Sequence, residues 1–391
     1  MTAFGVVASD KKARVGTLKT ARGEVETPVF LPVGTQATVK GLTPDDLKAI
    51  GVPMILANTY HLFLRPGADL VAKMGGLHKF MNWDRPILTD SGGFQVMSLG
   101  FGIEHEVGKF MPLFGEKATE EIGKIGEIAK RTKLAKVEEE GVTFQSHLDG
   151  SVHLFTPEIS VETQLKLGAD FIVALDECTS PLHNYEYTKA SMERSHRWEK
   201  RSLDAAPKKN MFGVIQGGPF EDLRIESAKF VSQNNFFGIG IGGALVSPEQ
   251  MRVILDWIYP HLDPQKPRHL LGIGTIPEIF AAVERGVDIF DCVAPTREAR
   301  SGRIYSSAEH YNIANSKFAT SREPLATSCK CYTCQNFTRG YVHHLFRANE
   351  LLAYRLATIH NLYFMADLMW QIREAIKEKK FAKLKAKMVR Y

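Results

Sequence analysis

The stretch VDIFDCVAPTREARSGR, residues 287–303, places a carboxylate and several arginines close together. Residues 287–290 form a short apolar run typical of a strand, Asp291 stands where that run ends, and Pro295 prevents the strand from continuing. A carboxylate at the mouth of a strand is placed for chemistry, and arginines beyond it suit phosphates or other planar anions. The stretch indicates carboxylate chemistry on a nucleic acid, with a salt-bridged surface loop as the alternative. The arginines recur every three residues: Arg297, Arg300 and Arg303.

Polar residues or glycines end several other apolar runs. Asp90 opens DSGGFQ and Asp176 opens DECT, each after a strand-like run. The alternatives are a helix N-cap for Asp90 and a salt-bridged loop for Asp176. Two carboxylates can divide labour at a sugar carbon, one as nucleophile and one protonating the leaving group. A purine could be recognised by a further set of groups. A third carboxylate, an amide and bare backbone could hydrogen-bond to its edge, and an aromatic ring could stack on its face. The residues for that interpretation are Asp176, Gln216, Gly242, Gly243 and Phe94.

Three of the five cysteines, Cys329, Cys331 and Cys334, lie within six residues. The odd count and the clustering argue against a disulfide framework and for a metal site, with free surface thiols as the weaker alternative. Soft thiolates with an imidazole select zinc, and a site with four protein ligands is structural. The spacing leaves three candidates open for the fourth ligand: His343, His344 and His360.

The composition is that of a soluble globular protein, with 44% hydrophobic and 24% charged residues among 391. No apolar run is long enough to cross a membrane and the N-terminus lacks the order of a signal peptide, so a cytoplasmic location is expected. The net charge of +5 favours anionic partners. The basic segment 377–391 suits phosphate-backbone binding or, equally, a solvated helix end. Missing Walker and Rossmann patterns disfavour nucleotide hydrolysis and dinucleotide redox chemistry.

The elements that must position these residues alternate between strands and helices. Eight strand-like runs are mostly apolar throughout, as expected when both faces of a parallel strand are buried. Several helical patterns between them open with Thr-Pro or Ser-Pro. We predict an α/β fold, a (β/α)8 TIM barrel, because its strand ends gather the polar residues around one mouth; a doubly wound open sheet is the alternative. The runs are 28–33, 53–58, 85–90, 170–176, 210–216, 236–241, 268–274 and 287–291, and helical patterns include 43–50, 157–168, 186–204, 219–234, 248–260 and 277–286.

The same patterns predict three parts of the chain. Residues 1–27 should form an N-terminal antiparallel sheet, residues 28–300 the catalytic barrel, and residues 301–391 a metal-binding helical subdomain. Residues 101–134, rich in Gly, Lys and Glu, interrupt the barrel as a lid or a partly ordered insertion. The sequence VTFQSHLDGSVHLF just after them predicts a hairpin that turns at its Asp-Gly pair.

Taken together, DSGGFQ, HLDG, DECT, GVIQGG, FDCVAPTR and CKCYTC followed by IHNL resemble the motifs of the tRNA-guanine transglycosylases, also called queuine tRNA-ribosyltransferases. The likeness runs from about Phe30 to about Ile376, apart from residues 101–134. It implies a zinc-bearing barrel, active as a homodimer in the cytoplasm, that exchanges guanine for a 7-deazaguanine at the wobble position of tRNA in queuosine biosynthesis. Residues 301–391 would contact the tRNA as well as hold the zinc.

The resemblance also implies a role for each matched residue. Asp291 would be the nucleophile that bonds to the ribose, and Asp90 the general acid and base. Asp176, Gln216 and Gly243 would recognise the base. Phe94 and Leu271 would sandwich the base, Arg297 and Arg300 would contact the tRNA, and Cys329, Cys331, Cys334 and His360 would hold the zinc ion.

Two departures from the family pattern bear on the substrate. The loop ALVSPE at 244–249 is one residue longer than the bacterial LAVGE, near the substituent of the deazaguanine, and the 101–134 insertion could alter access. Cys178 resembles bacterial members that use the aminomethyl precursor preQ1, which is therefore the expected base. The competing functions are a non-catalytic tRNA-binding subunit, disfavoured by intact Asp90 and Asp291, and a nucleoside or glycoside hydrolase, disfavoured by the metal cluster and the arginines.

Overall fold

The computed structural model describes residues 2–100, 135–180, 183–243, 247–307 and 309–389. Within them, eight parallel strands pair side by side into a closed barrel. The predicted (β/α)8 barrel is confirmed, each predicted run overlaps one strand, and the open-sheet alternative is wrong. In order around the ring, the strands are β4 (Val29–Gly34), β5 (Ile55–Ala57), β6 (Ile87–Thr89), β10 (Phe171–Val173), β11 (Asn210–Ile215), β12 (Gly238–Ile241), β13 (Arg268–Leu270) and β14 (Ile289–Cys292).

Apolar side chains fill the interior of the barrel. Phe171 and Phe212 are fully buried there and meet edge to face, with ring centroids 6.2 Å apart. Val173, Val214 and Ile289 belong to the same interior cluster. The outward-pointing residues of the strands are buried beneath the helices, so both faces of each strand are apolar and the sequence shows runs rather than alternation.

Helices follow the strands around the outside of the barrel. Thr43, Thr156 and Ser247 cap three of them through their side chains, each with proline at the start of the helix, as the sequence predicts. The helices are α1 (Pro44–Ile50), α2 (Thr59–Leu64), α3 (Ala68–Lys73), α4 (Gly76–Phe80), α5 (Gly93–Gly100), α6 (Pro157–Leu167), α7 (Tyr185–Ala205), α8 (Glu221–Gln233), α9 (Pro248–Ile258), α10 (Ile276–Val283) and α11 (Ala294–Arg300).

The predicted N-terminal antiparallel sheet is confirmed. It consists of β1 (Ala3–Asp10), β2 (Ala13–Thr20) and β3 (Gly23–Thr27). Arg14 of β2 forms a buried ion pair with Asp288, with Nε donating to Oδ1 at 2.9 Å. Asp288 directly precedes β14 and also accepts from the N–H of Arg268 at the start of β13 (2.8 Å). The sheet is therefore joined to the N-terminal ends of two barrel strands.

A second antiparallel sheet lies between β6 and β10 in the chain. It contains β7 (Ala135–Val137), β8 (Val142–Gln145) and β9 (Val152–Phe155). The predicted hairpin is present between β8 and β9, with Gly150 in the turn at φ +75°, whereas β7 is a strand that was not predicted. The predicted lid at 101–134 lies outside the described residues.

The C-terminal part is mostly helical. Its longest helix packs along α11 and β4 and buries one face in the main hydrophobic core. Among the described residues, no helix has the length and apolar character to cross a membrane. The elements are β15 (Arg303–Ile304), β16 (Tyr311–Asn312), α12 (Tyr332–Asn336), α13 (Arg339–Arg347), α14 (Leu351–Lys377) and α15 (Phe381–Met388).

The basic C-terminal segment lies at the end of the barrel opposite the strand C-termini. Lys385 of α15 forms an ion pair with Glu284, which follows α10 (2.8 Å). The N–H of Phe381 donates to Asp10 at the end of β1 (3.1 Å). Helices of a (β/α)8 barrel end at the face where strands begin. The described part of this segment therefore packs far from the mouth and fits the helix-end interpretation.

Candidate active site

The C-terminal ends of five barrel strands bring the predicted polar residues to one mouth. Asp90 follows β6 directly, and Asp291 is the third residue of β14. In a (β/α)8 barrel this face carries the chemistry, because loops there can vary without disturbing the strands. The three remaining positions follow β10, β11 and β12, namely Asp176, Gln216 and Gly243.

Asp291 is held by two donors that converge on one oxygen. Its Oδ1 accepts from Nε2 of His269 (2.8 Å) and from the N–H of Gly272 (3.0 Å). Asp291 is 9% exposed, whereas His269 is completely buried. Two donors on one oxygen restrict the rotation of the carboxylate, so Asp291 presents a fixed edge to the mouth.

Asp90 is held by the start of α2. Its Oδ1 accepts from the N–H of Thr59 (2.7 Å), and its Oδ2 accepts from the side-chain amide of Asn58 (2.6 Å). Burial raises the pKa of Asp90 to about 7, the N–H of Thr59 opposes that rise, and the negative charge of Asp291 adds to it. A carboxyl group that is half protonated near neutral pH can both give and take a proton, as a general acid and base must. The N-cap interpretation concerns α5, the helix after Asp90, and it stays a prediction: the N–H of Gly93 at the start of α5 donates to the hydroxyl of Ser91 (3.2 Å).

Asp176 and Gln216 form a polar wall deep in the mouth. Oδ2 of Asp176 accepts from Nε2 of Gln216 (2.6 Å), and its Oδ1 accepts from the hydroxyl of Ser91 (3.3 Å). Both side chains are buried. Oε1 of Gln216 has no hydrogen-bond partner within the described chain. A buried carboxylate beside a buried amide can exchange these internal hydrogen bonds for those of a flat heterocycle.

Arg224 of α8 ties the two glycine-containing loops together. Its guanidinium donates to the carbonyls of Gly218 (2.7 Å), Ile215 (3.1 Å) and Gly242 (2.9 Å). Gly243 has φ +94°, and a Cβ there would lie 2.4 Å from Nη2 of Arg224. Only glycine fits this position, so the backbone passes directly over the guanidinium.

The two apolar residues predicted to sandwich a base stand at the rim. Phe94, the second residue of α5, is 40% exposed. Leu271 follows β13 and is half-buried beside β12, where a Cβ on Gly240 would lie 3.5 Å from its Cδ1. The exposed ring of Phe94, four residues after Asp90, is available for stacking on a flat ligand.

The three arginines after Asp291 differ in their surroundings. Arg303 forms an ion pair with Glu298 (3.0 Å) and fits the salt-bridge interpretation. Arg297 is exposed and Arg300 half-buried on α11, and neither forms an ion pair within the described residues. The two predicted as tRNA contacts are therefore the two that retain an uncompensated charge.

The cysteine cluster closes around His360 of α14. Its Nδ1 lies 3.6 Å from Sγ of Cys329, 3.5 Å from Sγ of Cys331 and 3.3 Å from Sγ of Cys334. Ligands of one tetrahedral zinc ion would be roughly 3.6 Å apart, so the donor set fits a single metal ion. Nε2 of His360 donates to the carbonyl of Tyr305 (2.7 Å), which leaves Nδ1 to face the thiols. His343 contacts the carbonyl of Ile313 instead (2.8 Å).

Comparison with known proteins identifies the family. A model of the queuine tRNA-ribosyltransferase family matches residues 9–391, which include both the mouth of the barrel and the cysteine cluster. The chain belongs to this family. The resemblance read from the motifs is thereby confirmed.

Several proteins are similar to this chain over nearly its whole length. A protein of Archaeoglobus fulgidus is 50% identical over 386 residues, 96% of either chain. The queuine tRNA-ribosyltransferase of Herpetosiphon aurantiacus is 48% identical over 377 residues, 95% of this chain and 88% of that protein. That of Thermoanaerobacter sp. (strain X514) is 46% identical over 382 residues, 96% and 93%.

Three residues of the queuine tRNA-ribosyltransferase site escaped the sequence prediction. Asn58 ends the predicted run 53–58, so the rule that selected Asp90 could also have selected it. His269 stands with Arg268 at the start of the run 268–274, whose other residues are apolar or glycine, a signal that was present but not used. Arg224 lies in an ordinary amphipathic helix, and nothing in the sequence distinguishes it from a surface arginine.

Proposed function

We propose that this protein replaces guanine at the wobble position of tRNA with a 7-deazaguanine, through a covalent intermediate between Asp291 and the ribose. The observation that carries the proposal is the pair of carboxylates at one mouth with different surroundings. Asp291 is fixed by two donors, whereas Asp90 has a pKa raised to about 7. A fixed, ionised carboxylate can act as the nucleophile and one with a raised pKa as the acid and base. Such a pair suits substitution at a sugar carbon in two displacements.

In the first displacement Asp291 attacks C1′ of the ribose while the bond from C1′ to guanine breaks. The departing guanine takes a proton from Asp90. In the second displacement the incoming base gives its proton to Asp90 and attacks C1′, and Asp291 leaves as a carboxylate. Two inversions retain the configuration at C1′, and the exchange needs no ATP.

The polar wall recognises the base. The carboxylate of Asp176 accepts from the amino and ring N–H groups of a guanine-like edge, and Gln216 and the backbone at Gly243 donate to its carbonyl oxygen. Phe94 and Leu271 stack on the two faces of the ring. Gln216 must leave its hydrogen bond to Asp176 when the base enters.

The tRNA meets the rim of the mouth, where its guanine nucleotide leaves the stack to reach the carboxylates. Arg297 and Arg300 of α11 contact the nucleotides on either side through their uncompensated charges. Residues 301–391 form the zinc-binding part, in which Cys329, Cys331, Cys334 and His360 hold one structural Zn²⁺. When bound, zinc cross-links α14 to the segment before α12, next to the surface proposed for tRNA.

The base that we propose is preQ1, as part of queuosine biosynthesis in the cytoplasm, with the protein acting as a homodimer. Cys178, two residues after Asp176, supports preQ1, because at this position the chain resembles bacterial members that use this precursor. The family resemblance relates the longer loop at 244–249 to the substituent that distinguishes preQ1 from queuine, and residues 244–246 lie outside the described chain.

The first test is incorporation of labelled guanine into an unmodified tRNA with G at the wobble position, with preQ1 as competitor. Incorporation blocked by preQ1 is the expected result. Incorporation that preQ1 does not affect would keep the reaction and reject preQ1. Binding of tRNA without any incorporation would reject the enzyme and favour the non-catalytic subunit.

The second test asks for the covalent intermediate. The wild-type protein mixed with tRNA should give an adduct that survives denaturing electrophoresis, and Asp291→Asn should give none. The control is Asp256→Asn, an exposed aspartate on α9 that pairs with Arg285 and should leave the adduct unchanged. An adduct in the Asp291→Asn variant would contradict the assignment of the nucleophile.

A further inference from the structure

His269 lies inside the barrel directly beneath Asp291. It pairs with Ile289 of the neighbouring strand, whose side chain belongs to the barrel interior. Residues two apart on a strand face the same side, so Asp291 points inward above Ile289. His269 has no exposed surface, and its ring meets that of Phe212 edge to face at 6.2 Å. The imidazole is therefore fixed by packing before any substrate binds.

The hydrogen bond to Asp291 determines which ring nitrogen of His269 carries the hydrogen. Oδ1 of Asp291 accepts, so Nε2 is the donor at 2.8 Å. Nδ1 has no hydrogen-bond partner within the described chain, so the contact to Asp291 is the one that fixes the function of the ring. The N–H that His269 directs at the carboxylate orients Asp291 from a position fixed by packing.

We propose that His269 is a positioning residue for the nucleophile, and that it makes Oδ2 of Asp291 the attacking oxygen. This inference rests on the function proposed above. Oδ1 already receives the N–H groups of His269 and Gly272, which withdraw electron density from it. The bond from Oδ2 to C1′ forms as the bond from C1′ to guanine breaks, and the guanine carries away the electron pair and the proton from Asp90.

Both donors remain useful in the second displacement. Oδ1 is then the carbonyl oxygen of the ester that links Asp291 to the ribose. When the incoming base displaces this ester, the electron pair of the breaking bond returns to the carboxylate. The N–H of His269 stabilises that leaving carboxylate from a fully buried position, where a hydrogen bond to a charge is strongest.

Loss of the His269 N–H should therefore slow both displacements by about 10- to 100-fold, the range of one hydrogen bond to a charged group. The affinity for tRNA and the KM for the base should stay the same, because His269 is buried below the nucleophile and is exposed to neither substrate. If His269 only filled the interior, its replacement would lower the stability of the protein but would not lower kcat at an unchanged KM.

The test compares His269→Leu, which removes the donor, with His269→Gln, whose amide nitrogen can reach the position of Nε2. For each variant the rate of adduct formation with tRNA, the rate of adduct loss on adding base, KM and thermal unfolding are measured. The control is His78→Leu on α4, a buried histidine whose Nε2 lies 3.1 Å from Oδ2 of Asp170, at the end of the barrel opposite the mouth. This control should exchange bases at the wild-type rate.

The expected result is a loss of 10-fold or more in both rates for His269→Leu, unchanged KM, and recovery of most of the rate in His269→Gln. Wild-type rates in His269→Leu would overturn the inference, as would an equal loss in both variants that follows their loss of stability. A wild-type protein that forms no adduct would instead reject the proposed function itself, so the two failures are distinguishable.

Discussion

Replacing Asp90 by Asn should remove one pH-dependent contribution to the stability of the protein. Burial and the charge of Asp291 raise the pKa of Asp90 from 3.8 to about 7, against the opposing hydrogen bond from Thr59. A carboxyl group with a higher pKa in the folded than in the unfolded protein binds its proton more tightly in the folded state. The carboxyl group of Asp90 therefore contributes a loss of stability as the pH rises from about 4 to about 7, and this contribution is absent from the variant.

The size of the effect follows from the shift in pKa. Three units at about 1.36 kcal/mol each give up to about 4 kcal/mol above pH 7. Between about pH 5 and pH 8.5, roughly 2–3 kcal/mol of this penalty develops. In the variant, the new amide NH2 group faces either the amide of Asn58 or the N–H of Thr59, which are both donors. One hydrogen bond is therefore lost, at a cost of about 1–3 kcal/mol. That cost does not vary with pH, so only the pH-dependent difference is diagnostic.

The assay is urea unfolding of both proteins at the two pH values, with the slope m checked for constancy. The free energy of unfolding of Asp90→Asn minus that of the wild type should increase by roughly 2–3 kcal/mol from the lower to the higher pH. Asp69→Asn is the control for the loss of a carboxylate: Lys166 lowers the pKa of Asp69 below 3.8, so its contribution is complete at both pH values and this difference should stay flat. A difference for Asp90→Asn that is flat or falls with pH would refute the raised pKa of this carboxyl group.

Three further predictions concern the metal cluster, the tRNA surface and the loops. Cys334→Ala should reduce bound zinc from one ion per chain to well below that, by elemental analysis, and lower the melting temperature; full zinc content would contradict the ligand assignment. Arg297→Gln should weaken tRNA binding about tenfold and reduce its salt dependence by about one ion, whereas Arg303→Gln, which removes the partner of Glu298, should have little effect. Arg224→Met should raise the KM for the base about tenfold or more, because three loop carbonyls lose a charged donor; unchanged base kinetics would exclude this role.

The barrel could be predicted from the sequence because its strands are buried on both faces. The stretch FIVALD, for example, has no polar position before its final Asp. Eight mostly apolar runs with helices between them fit few other folds. The same rule found Asp90, Asp176, Gln216 and Asp291, since each of these stands where a run ends. Strand β7, with three residues of mixed polarity, had no comparable pattern.

The partners of these residues could not be predicted, because they depend on how strands align. His269 lies 22 positions before Asp291 in the chain, and only the register of β13 against β14 brings the two together. The contact from Asn58 to Asp90 likewise depends on β5 lying beside β6. Spacing also left the fourth metal ligand undecided, because the turn of α14 that faces the thiols is set by packing.

The ion pair between Arg14 and Asp288 determines whether the barrel can be excised as an independent fragment. A shortened chain that starts at residue 28 would leave the buried carboxylate of Asp288 with no positive partner from β2, at a cost of about 3–5 kcal/mol. Asp288 lies three residues before Asp291 on the same chain segment, and its carboxylate accepts from the N–H of Arg268, next to His269. Trimming that removes β2 would therefore act first on β13 and β14, the two strands that hold the nucleophile. Engineers of this scaffold should keep β2 and vary the loops at the opposite face.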